Sequence, residues 1–129
     1  MANKTLLVVS NHPVEKWEEA QKRGWDDIVY IPHPPIDARL SNRELDKLVL
    51  NTMEIIKEAP DIQNIDNTYF CIQGDYGFTY RLQREIEYCF YIHPEQFVFP
   101  TTERTIINTT INADGSFVKE TVFRFIQWR

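Results

Sequence analysis

The sequence predicts one α/β domain: a Rossmann-like, mostly parallel sheet flanked by helices, ending in a C-terminal antiparallel β-hairpin. Short apolar runs alternate with helix-like stretches as far as residue 100, which is typical of parallel strands joined by right-handed crossovers. Two strand-like runs follow at residues 105–112 and 116–128, separated by Ala113-Asp114-Gly115, and Asp-Gly there indicates a hairpin turn. A chain of 129 residues is typical of a single domain. We divide it into a core of residues 1–104 and a hairpin of residues 105–129.

The first third of the chain predicts a strand, a helix and a second strand. Residues 4–10 read as a fully buried strand, because four consecutive apolar residues leave no polar face. Pro13 suits the first turn of a helix, and helical spacing of apolar residues extends that helix over residues 14–23. Gly24 is a plausible stop, and residues 27–31 form the second strand.

The middle of the chain repeats this pattern twice. Ser41 or Asn42 can cap a second helix, which ends at Pro60. Residues 68–73 form the third strand and residues 78–90 the third helix. Residues 96–99 form a fourth parallel strand, closed by Pro100.

Composition and charge exclude several classes of function. The net charge of −5 argues against binding duplex DNA over long range. No stretch is long enough to span a membrane, and the N-terminus lacks a signal-peptide layout, so we expect a cytoplasmic protein without a membrane partner. Cys71 and Cys89 fit no metal spacing, and we interpret both as buried thiols.

Polar residues follow three of the four predicted strands. In open α/β sheets, ligands bind beyond the carboxyl ends of the strands, so we expect these residues to form one site. They are Ser10, Asn11 and His12 after the first strand; Gln73, Gly74, Asp75, Tyr76, Gly77, Thr79 and Tyr80 after the third; and Thr101, Thr102, Glu103 and Arg104 after the fourth. The set contains no dinucleotide fingerprint, phosphate loop or metal-type cluster, so no cofactor and no metal are expected.

The turn at residues 73–77 is the most distinctive of these segments. Glycines at two of its positions allow a tight turn and a close approach to a ligand. The first amides of the helix that follows can hold an anion.

Each candidate also has an ordinary structural interpretation. The glycines could serve only the turn, Asp75 could be a helix cap, and His12 could be a surface histidine before a proline. The two threonines could hydrogen-bond within a turn, Glu103 and Arg104 could form an exposed ion pair, and the two tyrosines could be packing aromatics. These alternatives stay open on the sequence alone.

Several motifs occur in an order that resembles a known family. They are Ser10 to His12 at the end of the first strand, Asp-Ile-Val-Tyr-Ile-Pro at 27–32, Gln-Gly-Asp-Tyr-Gly-Phe-Thr-Tyr at 73–80, Thr-Thr-Glu-Arg at 101–104, Asp-Gly-Ser-Phe-Val-Lys at 114–119 and Val-Phe-Arg-Phe at 122–125. Together they resemble the stand-alone ancillary ring nucleases of type III CRISPR systems, in the subgroup with a Gln-Gly-Asp-[Phe/Tyr]-Gly-x-Thr-Tyr motif. The resemblance spans nearly the whole chain.

The resemblance implies a CARF-like Rossmann domain that acts as a homodimer. The implied ligand is a cyclic oligoadenylate, in the first instance cyclic tetra-adenylate, bound across the dimer axis. The implied reaction is metal-independent cleavage to linear di-adenylate with cyclic phosphate ends, which switches off an antiviral signal.

The residue types are compatible with this chemistry. Arg104 can bind a phosphate bidentately, His12 can transfer a proton near neutral pH, and Asp75 or Glu103 could orient the attacking hydroxyl. Contacts to the ring would come from the amides of residues 75–77, from the hydroxyls of Thr101 and Thr102, from Ser10, Asn11 and Gln73, and from stacking on Tyr76 or Tyr80. A protein that binds the ring without cleaving it is the nearest alternative, and a scaffold that uses the hairpin edge is another.

Overall fold

A computed structural model describes residues 3–59, 62 and 64–129 of the chain. Three strands form a parallel sheet in the order β2-β1-β3: β1 (Thr5–Ser10), β2 (Asp27–Pro32) and β3 (Thr68–Gln73). Three α-helices accompany them: α1 (Glu19–Lys22), α2 (Asn42–Glu58) and α3 (Tyr76–Phe90). The strands β4 (Pro100–Ile111) and β5 (Phe117–Trp128) form an antiparallel hairpin. The predictions of a parallel sheet with helices and of a C-terminal hairpin are confirmed.

The central strand β1 is buried on both faces because a different hydrophobic cluster covers each one. Leu7 and Val9 pack among residues of α2 and α3. Leu6 and Val8 pack with Cys71 on the opposite face, where Trp17 and Trp25, on either side of α1, and Trp128 of the hairpin lie nearby. Burial of each such side chain contributes about 1.5–3 kcal/mol, so β1 is the main scaffold for the residues at its end.

Caps at the helix starts explain where α2 and α3 begin. The Ser41 hydroxyl accepts from the Glu44 amide at 3.1 Å, and the Glu44 carboxylate accepts from the Ser41 amide at 3.2 Å, a reciprocal capping box. Ser41 is therefore the cap of α2. Asp75 caps α3, which starts at Tyr76 rather than at residue 78. The predicted stop at Pro60 lies outside the described residues, and α2 ends at Glu58.

The predicted helix at residues 14–23 is wrong. A 3-10 turn, Val14–Lys16, is followed by the single-turn α1, and the backbone of Trp17 and Glu18 between them is extended. Tertiary contacts override the helical spacing: the Trp17 ring lies 5.5 Å from Trp128, and the Glu18 carboxylate accepts from the Phe125 amide at 3.0 Å. A continuous helix would lose both contacts.

The predicted fourth parallel strand at residues 96–99 is also wrong. Gln96 ends a 3-10 turn, and Phe97 makes only an isolated parallel bridge to Phe70. The amide and carbonyl of Phe99 hydrogen-bond to the backbone of Arg129. Phe99 therefore pairs with the end of the hairpin and does not continue a parallel strand beside β3. The hairpin strand consequently starts at Pro100, five residues before the predicted boundary.

The two cysteines are free thiols in different surroundings. Cys71 is buried and Cys89 is partly buried, and burial raises the pKa of Cys71 to about 12. Because the thiolate is the reactive form, we expect iodoacetamide at pH 8 to modify Cys89 and to leave Cys71 unmodified in the native protein. Peptide mapping measures this, and equal labelling of both residues without denaturant would contradict it.

Candidate functional site

The carboxyl ends of β1 and β3 lie side by side. Ser10 is in register with Gln73 of β3 on one side and with Pro32 of β2 on the other. The chain after β1 leads to Trp17 on one face of the sheet, and the chain after β3 leads to Phe78 on the opposite face. Adjacent strands whose connections leave toward opposite faces form the topological switch point at which α/β proteins bind ligands. We call this place the β1–β3 crevice.

Ser10 is a buried residue whose hydrogen bonds fix the loop on the β1 side of the crevice. It is only 1% exposed, and its hydroxyl accepts from the His12 amide at 3.0 Å. Its carbonyl accepts from the Tyr30 hydroxyl at 2.8 Å and from the His33 amide at 3.1 Å. Ser10 thus holds the loop in shape, while Asn11 and His12 are exposed and free to meet a ligand.

His33 is a site residue that the sequence analysis missed. It follows β2 at the same sheet edge, is 7% exposed, and packs its ring 4.6 Å from that of Phe78. Its Nδ1 lies 2.7 Å from the Pro34 carbonyl, which can only accept, so Nδ1 carries the hydrogen. Its Nε2 is buried with no partner among the described residues. The available signal was its position directly after a parallel strand.

The imidazole of His33 explains the glycine at position 74. A Cβ on Gly74 would lie closer to two ring atoms of His33 than the 3.0 Å that real Cβ atoms keep. Gly74 therefore permits a close approach between two parts of the chain itself. Gly77 is less constrained, since its nearest new neighbour would be the Asp75 Oδ1 atom at 3.3 Å.

The first turn of α3 forms the β3 side of the crevice. Asp75 Oδ1 accepts from the Phe78 amide at 2.9 Å, so Asp75 is a helix cap. The amides of Tyr76 and Gly77 make no hydrogen bond within the described part of the chain, and the Thr79 hydroxyl is buried there without a partner. Donors of this kind at a helix start favour an anion.

The two predicted tyrosines point away from the core. Tyr76 is 92% exposed and Tyr80 is 60% exposed, so neither is a buried packing residue. Tyr80 lines a cleft of about 550 Å³ between α2 and α3, and the Arg84 guanidinium lies 5.7 Å from the centre of its ring. Arg81 in the same cleft is paired with Asp46 at 3.0 Å. This cleft is lined only by residues of α2 and α3.

The third predicted group is in a strand, which corrects the expectation of a loop. Thr101, Thr102, Glu103 and Arg104 belong to β4. The Thr101 hydroxyl bonds to the Gln127 carbonyl at 2.9 Å, so it serves the hairpin. Glu103 faces Arg124 across the strands, and Arg104 faces Phe123. Among the described residues, no hydrogen bond or ion pair joins this group to the β1–β3 crevice.

The described ranges contain neither a cluster of metal ligands nor a membrane-spanning helix. No group of three His, Cys, Asp or Glu side chains there is arranged to hold a metal ion. No helix in that part of the chain has the length and apolar character needed to cross a membrane.

Comparison with known proteins identifies a family and no activity. A family model described as "Uncharacterized protein MJ1673 family" matches residues 4–129. No curated protein and no solved structure matches the chain.

Proposed function

Because the chain belongs to the MJ1673 family, whose description names no activity, we propose a function from the site and from the resemblance of the motifs to those of ring nucleases: the protein is a CARF-like ring nuclease. The protein binds a cyclic oligoadenylate, in the first instance cyclic tetra-adenylate, and cleaves it to linear di-adenylate in the cytoplasm. This removes the second messenger of a type III CRISPR response.

The β1–β3 crevice is the observation that carries this proposal. It combines a switch point with an exposed Asn11, an exposed His12 and two helix-start amides that make no hydrogen bond to residues 3–59, 62 or 64–129. Amides of this kind suit phosphate oxygens, and amide side chains suit base or ribose edges. The order of motifs along the chain, from residue 10 to residue 125, provides independent support.

The reaction needs no external nucleophile. A ribose 2′-oxygen attacks the neighbouring phosphorus, a 2′,3′-cyclic phosphate forms, and the bond to the 5′-oxygen breaks. The 2′-hydroxyl proton leaves to a base, and the 5′-oxygen gains a proton. Holding these atoms in line accounts for much of the rate, and cationic or amide donors stabilise the charge on the phosphorane.

Three residue roles follow for the proposed reaction. His12 exchanges the proton, because it is the exposed histidine next to the crevice. The amides of Tyr76 and Gly77 hold phosphate oxygens, and Asp75 keeps them in place as the cap of α3. Arg104 supplies positive charge. It sits on the exposed hairpin, so a two-fold symmetric dimer would present it twice to a two-fold symmetric ring.

Turnover is the experiment that tests the proposal. Labelled cyclic tetra-adenylate is incubated with excess and with catalytic protein, and the products are separated by chromatography. Linear di-adenylate at many turnovers per protein supports the nuclease. Binding without product makes the protein a sink for the messenger, and the absence of both binding and a melting-temperature shift leaves the scaffold alternative.

Replacement of Arg104 tests the charge contribution. We expect Arg104→Ala to slow cleavage roughly tenfold or more, because a donor to the developing charge is lost. Arg23→Ala is the matched control, since Arg23 is also exposed but precedes β2, at the amino ends of the parallel strands. An unchanged single-turnover rate for Arg104→Ala would remove Arg104 from the site. His12→Ala then separates mechanisms, because persisting activity means that positioning suffices.

A further inference from the structure

The cleft between α2 and α3 is a second concave surface of the protein, and we call it the interhelical cleft. Its volume is about 550 Å³, and its lining residues all belong to these two helices. Clefts of this size bury most of a drug-sized ligand. The interhelical cleft is therefore a candidate site for a small molecule, separate from the β1–β3 crevice.

Contacts between the two helices fix the shape of the interhelical cleft. The Arg81 Nε atom of α3 lies 3.0 Å from the Asp46 carboxylate of α2, and the Arg81 Nη2 atom donates to the Asn42 side-chain oxygen of α2 at 3.1 Å. Val49 of α2 and Leu82 of α3 are buried in the same core cluster. The cleft is consequently already formed in the absence of a ligand, as small-molecule sites usually are.

Arg84 brings a free positive charge to the cleft. Its guanidinium lies 5.7 Å from the centre of the Tyr80 ring, which is within the range of a cation–π contact. No carboxylate of the described part of the chain forms an ion pair with it, whereas Arg81 is neutralised by Asp46. Because a guanidinium can bind a phosphate through two parallel hydrogen bonds, Arg84 favours a phosphorylated ligand.

An exposed aromatic ring lies beside this charge. Tyr88 lies one helical turn after Arg84 on the same face of α3, lines the cleft, and is 76% exposed. Leu50 of α2 also lines the cleft and is 54% exposed. A planar base can stack on such a ring beside an arginine, as bases do in proteins that bind nucleotides in single strands. A phosphate joined to a planar base is a nucleotide.

Glu85 narrows the choice of base. It lines the same cleft and forms no ion pair within residues 3–59, 62 and 64–129. An ionised carboxylate can only accept hydrogen bonds, so it favours a base that offers an amino group. Adenine has such a group, and hypoxanthine has a carbonyl in its place.

We propose that the interhelical cleft binds a nucleoside monophosphate whose base carries an exocyclic amino group, for which AMP is the test ligand. The phosphate binds Arg84, the base stacks on Tyr88, and its amino group donates to Glu85. This site includes no residue of the β1–β3 crevice, and binding is measured without turnover. Failure of the nuclease activity would leave the proposal intact, and its own failure would leave the nuclease intact.

Calorimetric titration with AMP tests the phosphate contact. We expect the native protein to bind AMP with a Kd below about 1 mM and Arg84→Gln to bind it at least tenfold more weakly, because a charged hydrogen-bond donor is lost. Arg43→Gln is the matched control, since Arg43 is an exposed residue of α2 outside the cleft. Adenosine, which lacks the phosphate, should bind the native protein and Arg84→Gln equally. No binding at 1 mM AMP, or equal weakening by both substitutions, overturns the proposal.

A comparison of AMP with inosine monophosphate tests the contact to the base. The carbonyl of hypoxanthine would face the Glu85 carboxylate, acceptor against acceptor, so inosine monophosphate should bind at least tenfold more weakly than AMP. Glu85→Gln should bind the two nucleotides with similar affinity, because an amide side chain both donates and accepts. Equal affinities for the native protein contradict the proposed selectivity for an amino group.

The aromatic contact and the position of the ligand are tested last. Tyr88→Ala should weaken AMP binding at least fivefold through lost stacking, and Tyr91→Ala should not, since Tyr91 is 87% exposed but lies outside the cleft. In NMR spectra, AMP should shift the amides of residues 46–50 and 80–88. Shifts that are largest at residues 74–77 would place AMP in the β1–β3 crevice and overturn the proposal.

Discussion

We expect Gly74→Ala to destabilise the protein by about 3 kcal/mol, the upper end of overpacking costs. The new methyl group would occupy the space of the His33 imidazole. That ring cannot easily yield, because it is 7% exposed and packs against Phe78. Phe78 itself is fully buried. Thermal unfolding measures the effect, as a fall of ~10 °C in Tm for a domain of this size.

Two comparisons separate the His33 contact from a general cost of replacing glycine. Gly77→Ala adds the same methyl three residues later, meets nothing closer than 3.3 Å, and lies in a helix where alanine is favoured. It should change stability by less than about 1 kcal/mol. His33→Ala combined with Gly74→Ala should cost less than the sum of the single changes. Additive costs would show that something other than the contact with His33 requires glycine at position 74.

Sequence patterns correctly predicted the elements that are determined by residues close together in the chain. Strands β1 and β3 and the helix α2 lie where apolar spacing and the Ser41 cap place them. The hairpin turn lies where Asp-Gly predicts it, with Gly115 at a φ of 88°. The same logic correctly brought Ser10 beside Gln73, because parallel strands in one sheet end at one edge.

Distant contacts decided the elements that the sequence mispredicted. Trp17 has helical spacing with its neighbours, yet it packs against Trp128, 111 positions later. Residues 96–99 were predicted as a strand closed by Pro100, yet Arg129 pairs with both the amide and the carbonyl of Phe99. Thr101 to Arg104 therefore lie in a strand of the hairpin, and not in a loop at the edge of the parallel sheet as predicted. His33 was overlooked because the prolines after it indicate a loop, and only the three-dimensional register shows that it fills the junction.

Trp128 explains how the hairpin is held, and its loss should have the other large effect. Its ring lies 5.5 Å from Trp17 and 5.7 Å from both Trp25 and Phe125. Its Nε1–H donates to the Gln21 carbonyl at 3.0 Å. Removal of a packed tryptophan costs ~3 kcal/mol or more, and here it also frees the base of β5. We expect Trp128→Ala to lower the free energy of unfolding in urea by this amount.

Trp128→Phe distinguishes packing from hydrogen bonding at the same position. It keeps an aromatic ring in the cluster but gives up the bond to Gln21 and the packing of the indole's second ring, so it should cost roughly 1–2 kcal/mol, less than Trp128→Ala. Hydrogen exchange adds a local measure: amides of β5 near Phe125 should lose protection in Trp128→Ala, while amides of β1 keep theirs relative to global unfolding. Equal stability losses in the two variants would assign the anchor to the hydrogen bond. Retained β5 protection in Trp128→Ala would mean that Glu18, through its hydrogen bond to the Phe125 amide and its ion pair with Arg124, holds the hairpin without the tryptophan.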